Sequence, residues 1–250
     1  MDALQEIKER MEALEREVSV LRAREQIQNL MGQFAFLQST AQYREIVDKL
    51  FSKSSERSYE DGSAGIYTDN RFAPDLIFSW FRNRYGLPVN DQDADALRGR
   101  LTVNALTTPV IEVAADGQSA DGVWITTGHE TAVYPEGKPS GFLSTDEAPA
   151  QPDGSRHRAQ WVWLKYSVRF VLEDNEWRIL HMHVYEIFRC PFDEDWVKYS
   201  KHRAEDDEFL DSMIRFGSEN PTHATFPSTE HWQYAPDAFP PAFPTVPGLK

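Results

Sequence analysis

The spacing of apolar residues divides the chain into a helical N-terminal part, a central run of strands and a tail with neither period. Leu4, Ile7, Met11, Leu14, Val18 and Leu21 alternate steps of three and four, the seam of a heptad helix with Glu, Lys and Arg on its flanks. So short a seam does not stand alone, and it is expected to pack on a partner subunit or on its own domain. The stripe then shifts to Ile27, Leu30, Met31, Phe34 and Leu37, which predicts one helix ending near Ser39-Thr40. A short helix over Tyr43 to Phe51 and a third begun at Pro74, with Leu76, Ile77, Trp80 and Phe81 inward, complete the helical part.

Beyond the polar loop 88–100 the pattern becomes that of strands. Residues 102–114 run to a turn at Asp116-Gly117, and 119–134 return. The stretch 135–158, with Pro, Gly, Ser and Asp and no period, reads as a long loop of the kind that serves as a lid or an interface arm. Strands 159–172 and 177–188 follow, joined at Glu173-Asp174-Asn175 and rich in Val, Ile, Trp, Tyr and Phe. Residues 192–216 are charged and helical in pattern. The prolines after Ser218, interleaved with Phe226, Trp232, Tyr234, Phe239 and Phe243, make an extended arm that lies on a surface.

Helices followed by a long antiparallel sheet define an α+β fold, with the sheet curved around the helices to leave a conical cavity. Three segments are expected: a coiled-coil-like helix over 1–23, the cone-shaped domain over 24–190, and a helix with the extended arm over 191–250. The seam and the arm both suit a homo-oligomer, a dimer or a trimer.

Composition narrows the function. Forty acidic residues against 26 basic ones give a formal charge of −14, which disfavours a nucleic acid or an anionic membrane as partner. One cysteine, Cys190, rules out an internal disulfide framework and a Cys-rich zinc site. With no signal-peptide core and no apolar run of spanning length, the expected location is the cytoplasm. Neither a Gly-x-Gly-x-x-Gly, nor a phosphate-cradling loop, nor a Gly-x-Ser-x-Gly elbow occurs, so nucleotide, flavin and serine-hydrolase chemistry are disfavoured and no cofactor is expected.

Alternation sorts the strand side chains into two sets. Val162, Leu164, Tyr166, Val168 and Phe170 share one face of their strand, and Trp161, Trp163, Lys165, Ser167 and Arg169 the other. On the next strand Leu180, Met182 and Val184 oppose His181, His183 and Tyr185. A bulge would reverse an assignment, so both faces stay open. His181 and His183 have the spacing of two ligands on one strand, with His129 and Glu130 as conceivable completions, but nothing demands a third ligand and no metal is expected.

The succession LMGQFAFLQSTAQYREIVDKLFS, YEDG, LTTPVIEVAADG and WVWLKYSVRFVLEDNEWRILHMHVY resembles the nuclear transport factor two-like superfamily over roughly residues 24–190. That group includes ketosteroid isomerase, scytalone dehydratase and the SnoaL-like polyketide cyclases. Within it the last strand pair, with an N-terminal heptad helix, is similar to bacterial lyases that remove the terminal carbon of lignin-derived 1,2-diarylpropane-1,3-diols as formaldehyde, leaving a stilbene without a cofactor. The resemblance implies a hydrophobic aromatic substrate. It makes Asp61 a candidate base and Tyr166 an oxyanion-stabilising donor on the cavity face. Arg57, Tyr59, Lys165 and His183 are further catalytic candidates, as proton donors or as groups that manage a phenolate. Asn104, Tyr43, His129, Trp80 and Met182 are candidates for substrate binding. The alternatives are a dehydratase, isomerase or polyketide cyclase in the same cavity, and a non-catalytic binding or assembly module.

Overall fold

The computed structural model describes residues 3–61, 65–68, 77–78, 99–134, 154, 156–198, 224–225, 234, 239 and 244–249. Helix α1 spans Ala3–Ser39 without a break, so the segment boundary expected at residue 23 falls inside it. Its shifted stripe is its core side: Ile27, Leu30, Met31 and Phe34 are buried and Leu37 partly so. A short helix α2 (Tyr43–Glu45) runs directly into a π-helical turn, Ile46–Leu50, which buries Ile46, Val47 and Leu50. Of the third expected helix only Ile77 and Phe78 are described, both helical and buried; Trp80 lies outside the described residues, as do most of 135–158 and of 192–216.

Among the described residues seven strands form one sheet: β1 (Ser58–Asp61), β2 (Gly65–Thr68), β3 (Leu101–Val113), β4 (Ser119–Tyr134), β5 (Arg156–Glu173), β6 (Glu176–Pro191) and β7 (Ala224–Thr225). Their order is β3-β4-β5-β6-β1-β2-β7. All pairings are antiparallel except that of β1 with β6, which is parallel. The turn between β5 and β6 holds Asp174 and Asn175 at φ 50° and 62°, the left-handed pair that a tight hairpin turn needs and that Asp and Asn tolerate. In β3 the register shifts between Thr107 and Val110. Thr108 there has φ 48°, and Pro109 sits where the ladder is already broken, which is why a long strand tolerates it.

One face of the sheet packs on α1, and it is named the helix face below. Phe34 meets Tyr166 edge-on at 6.1 Å, and Val162, Leu164, Val168 and Phe170 of β5 are buried with it. Strand β5 alternates without interruption along β4, whereas β6 carries two bulges against β5, at Leu180 and at Ile187. Leu180 is thus a bulge residue and does not belong to the set of Met182 and Val184; Ile179 and Met182 are the buried pair on either side of it.

Two glycines on the helix face of β4 make room for larger neighbours. A Cβ at Gly122 would lie 2.6 Å from the Trp124 ring, and one at Gly128 would lie 1.9 Å from Asn104 Oδ1 and 2.9 Å from the Val103 carbonyl oxygen. Because one obstacle at Gly128 is backbone, Gly128→Ala should lower stability by about 1–3 kcal/mol. Gly32, inside α1 with nothing within 4 Å of where a methyl would stand, should instead gain about 0.5–1 kcal/mol as Gly32→Ala. Thermal melting of the two variants side by side checks the opposite signs.

Candidate active site

The helix face is apolar toward the β5–β6 turn and polar toward the far ends of the strands. Near the turn lie Trp177, Ile179 and Phe170, all buried. Midway, the register sets Tyr166 opposite Val184 and Val168 opposite Met182. The parallel neighbour β1 adds Tyr59 beside Met182 and Asp61 beside Val184. Tyr59, Tyr166 and Met182 are all at most 4% exposed.

Further along the same face stand residues that the sequence reading did not bring together. Arg189 is buried and donates from Nη1 to Glu130 Oε2 at 2.5 Å and to Gln160 Oε1 at 3.1 Å, and from Nε to Glu186 Oε2 at 3.0 Å. Burial works against its charge, but the carboxylates of Glu130 and Glu186 more than offset that and hold the guanidinium firmly protonated. Beside this network the Asn104 carboxamide lies over Gly128, with neither Oδ1 nor Nδ2 hydrogen-bonded, and the buried Thr126 hydroxyl has no partner either. A buried amide left without partners costs roughly 1–3 kcal/mol, so it is a place where a bound group gains the most from one hydrogen bond.

The other candidates stand elsewhere. Lys165 is on the outer face, opposite Tyr185, and His183 is there too, stacked on Tyr185 at 3.8 Å with Nδ1 3.4 Å from Glu60 Oε2. His181 exchanges a 2.9 Å hydrogen bond with Ser58 Oγ. Burial, with Arg169 nearby, lowers its pKa, and Glu56 opposes the shift. His129 is exposed and tilted against Trp161 at 4.6 Å. Arg57 donates to the Ser52 and Val47 carbonyl oxygens at 3.2 and 3.5 Å, at the apolar end of the domain. Tyr43 is buried at the start of α2. Among the described residues no three His, Cys, Asp or Glu side chains gather as metal ligands. Burial pushes the Cys190 thiol up to about 11, so it is a poor nucleophile at neutral pH.

The outer face has a groove of about 350 Å³, lined by Trp161, Trp163, Ile187, Phe188, Trp196 and Tyr234. Trp163 stacks on Phe188 and Phe188 on Trp196. The backbone N–H of Tyr234 donates to the Ile187 carbonyl oxygen at 2.7 Å, so Tyr234 is held at the second bulge of β6.

The family model of the SnoaL-like domain matches residues 19–183. This chain belongs to the SnoaL-like domain family. The match takes in the core part of α1, all of β1–β5 and the first half of β6, and so includes Tyr59, Asp61 and Tyr166. It stops before Glu186 and Arg189. No curated protein matches the SnoaL-like chain. Among solved structures it is similar to hexachlorocyclohexane dehydrochlorinase LinA-type3 from Novosphingobium barchaimii LL02, at 10% identity and TM-score 0.47, over 72% of this chain and 96% of that one. It is also similar to a candidate scytalone dehydratase from Novosphingobium aromaticivorans DSM 12444, at 11% identity and TM-score 0.47, over 70% and 91%. Among its described residues no helix is long and apolar enough to cross a membrane.

Proposed function

We propose that this SnoaL-like protein is a cofactor-independent carbon–carbon lyase that removes formaldehyde from a 1,2-diarylpropane-1,3-diol and leaves a stilbene. One observation supports the reading above the rest. Tyr166, Val184 and Asp61 hold paired register positions across three strands, with Tyr59 and Met182 in the next row, where the helix face passes from its apolar end to its polar end. Neighbouring strands are about 4.8 Å apart, so the row spans about 10 Å between the backbones of Tyr166 and Asp61, the scale of a substrate with an aryl group at each end.

In this scheme the para-phenol gives its proton to water and Tyr166 donates a proton to the benzylic hydroxyl, which leaves as water as the quinone methide forms. Asp61 takes the proton of the terminal hydroxyl. The bond to that carbon breaks, formaldehyde departs, and the electron pair of the broken bond forms the stilbene double bond while the ring oxygen becomes a phenolate and takes a proton back from water; the proton on Asp61 returns through water to Tyr166. Substrate becomes stilbene, water and formaldehyde with no net oxidation, so the electron sink is the substrate itself. Asn104 is assigned to the phenol oxygen, to which its Nδ2 donates as that oxygen becomes a carbonyl. We prefer Asn104 for that duty to Arg57, which is bonded to backbone carbonyls, and to Lys165, which stands on the outer face. His183, on the outer face beside Glu60, gives way to Tyr166 as donor.

Incubation with a 1,2-diarylpropane-1,3-diol, following stilbene absorbance and trapped formaldehyde together, tests the reading. Equal yields of both are expected. Loss of water without formaldehyde would replace the lyase with a dehydratase on the same face, and binding without turnover would leave a non-catalytic module.

A further inference from the structure

The body of the domain takes up α1 only from Ala23 onward; no residue between Leu4 and Arg22 is buried. The heptad seam stands out in the open, with Ile7 55%, Met11 56%, Leu14 58% and Leu21 63% exposed. At 1.5 Å per residue this stretch is a rod about 30 Å long. A seam that carries apolar residues at every three and four positions, and is not packed on its own domain, is shaped for another helix of the same period.

We infer that this seam is closed by the same seam of a second copy of the chain, in a parallel, in-register coiled coil. The charges beside the seam are self-complementary. In that register the residue just before each first seam position faces the residue five places further on in the partner. Arg10 then faces the partner's Glu15, and Glu17 faces the partner's Arg22, each twice by symmetry. No like charges meet in these four contacts. A copy of the chain supplies both members of every pair, which an arbitrary partner would not.

The tests use the full chain, by sedimentation equilibrium. The wild type should be an oligomer in the micromolar range, and Leu14→Glu should weaken association by about a hundredfold or more, since it places a charge in the seam. Near-ultraviolet circular dichroism should stay unchanged, because Leu14 is exposed and stands apart from the core. Arg10→Glu should weaken association by about threefold to tenfold, and adding Glu15→Arg should restore it. A monomeric wild type, or an oligomer indifferent to Leu14→Glu, would overturn the inference. Rescue of Arg10→Glu by Glu17→Arg in place of Glu15→Arg would overturn the parallel arrangement, since those two residues meet only when the helices run in opposite directions. None of these outcomes depends on turnover.

Discussion

Replacing Arg189 with methionine should lower the free energy of unfolding by about 3–5 kcal/mol. The guanidinium is buried and shared by Glu130, Glu186 and Gln160, and both glutamate residues are themselves at most 8% exposed. Methionine fills much of the volume but satisfies none of these oxygens, so two carboxylates remain in a poorly solvated place without a counter-charge. They then either draw in water or take up protons, and both cost stability. Urea unfolding followed by tryptophan fluorescence reads the loss. If burial of unpaired charge is the cause, adding Glu130→Gln and Glu186→Gln to the methionine variant should recover a large part of it. A loss below about 1 kcal/mol for Arg189→Met would mean that the network is solvated and contributes little.

The second large effect is catalytic. Asp61→Asn should reduce the rate of both products together by about 100-fold to 10,000-fold, the range expected when a general base is removed. The substitution keeps the size of the side chain and removes only its capacity to accept a proton, so KM and the melting temperature should change little. Tyr166→Phe should lower kcat in the same assay while leaving binding of the stilbene product almost intact, because the ring packed against Phe34 is preserved. If Asp61→Asn turns over at the wild-type rate, the base is elsewhere, and Glu186, two residues beyond Val184 on the same face, is the next carboxylate to replace.

What could be read in the sequence followed from local periods. The β5 set of Val162, Leu164, Tyr166, Val168 and Phe170 is buried together because that strand keeps an unbroken alternation along β4. The Asp116-Gly117 and Asp174-Asn175 turns were visible because their residues suit positive φ, as Gly117 at 67° and Asn175 at 62° illustrate. The Arg189 network was not visible, for a specific reason. Glu186 and Arg189 differ in parity, so no regular strand places both on one face, and only the bulge at Ile187 reconciles them. Their partners Glu130 and Gln160 come from other strands, 59 and 29 residues away from Arg189. An Arg three residues after a Glu, in a run otherwise as apolar as VYEIFRCP, was the available signal, since such a charge seldom enters a strand without partners waiting for it. Lys165 and His183 failed to join the helix face for the converse reason: each obeys the local alternation, and that alternation turns it outward.

The extra residue at Ile187 separates two histories that the chain otherwise runs together. A chain lacking it would pair Glu186 and Phe188 with Leu164 and Trp163 in an unbroken ladder, and Arg189 would still enter from the inner side. What would vanish is the outward carbonyl that holds Tyr234. Ile187 is therefore an extra residue that the inward pairing does not need, and its deletion would remove the hold on Tyr234 while leaving the buried chemistry as it was.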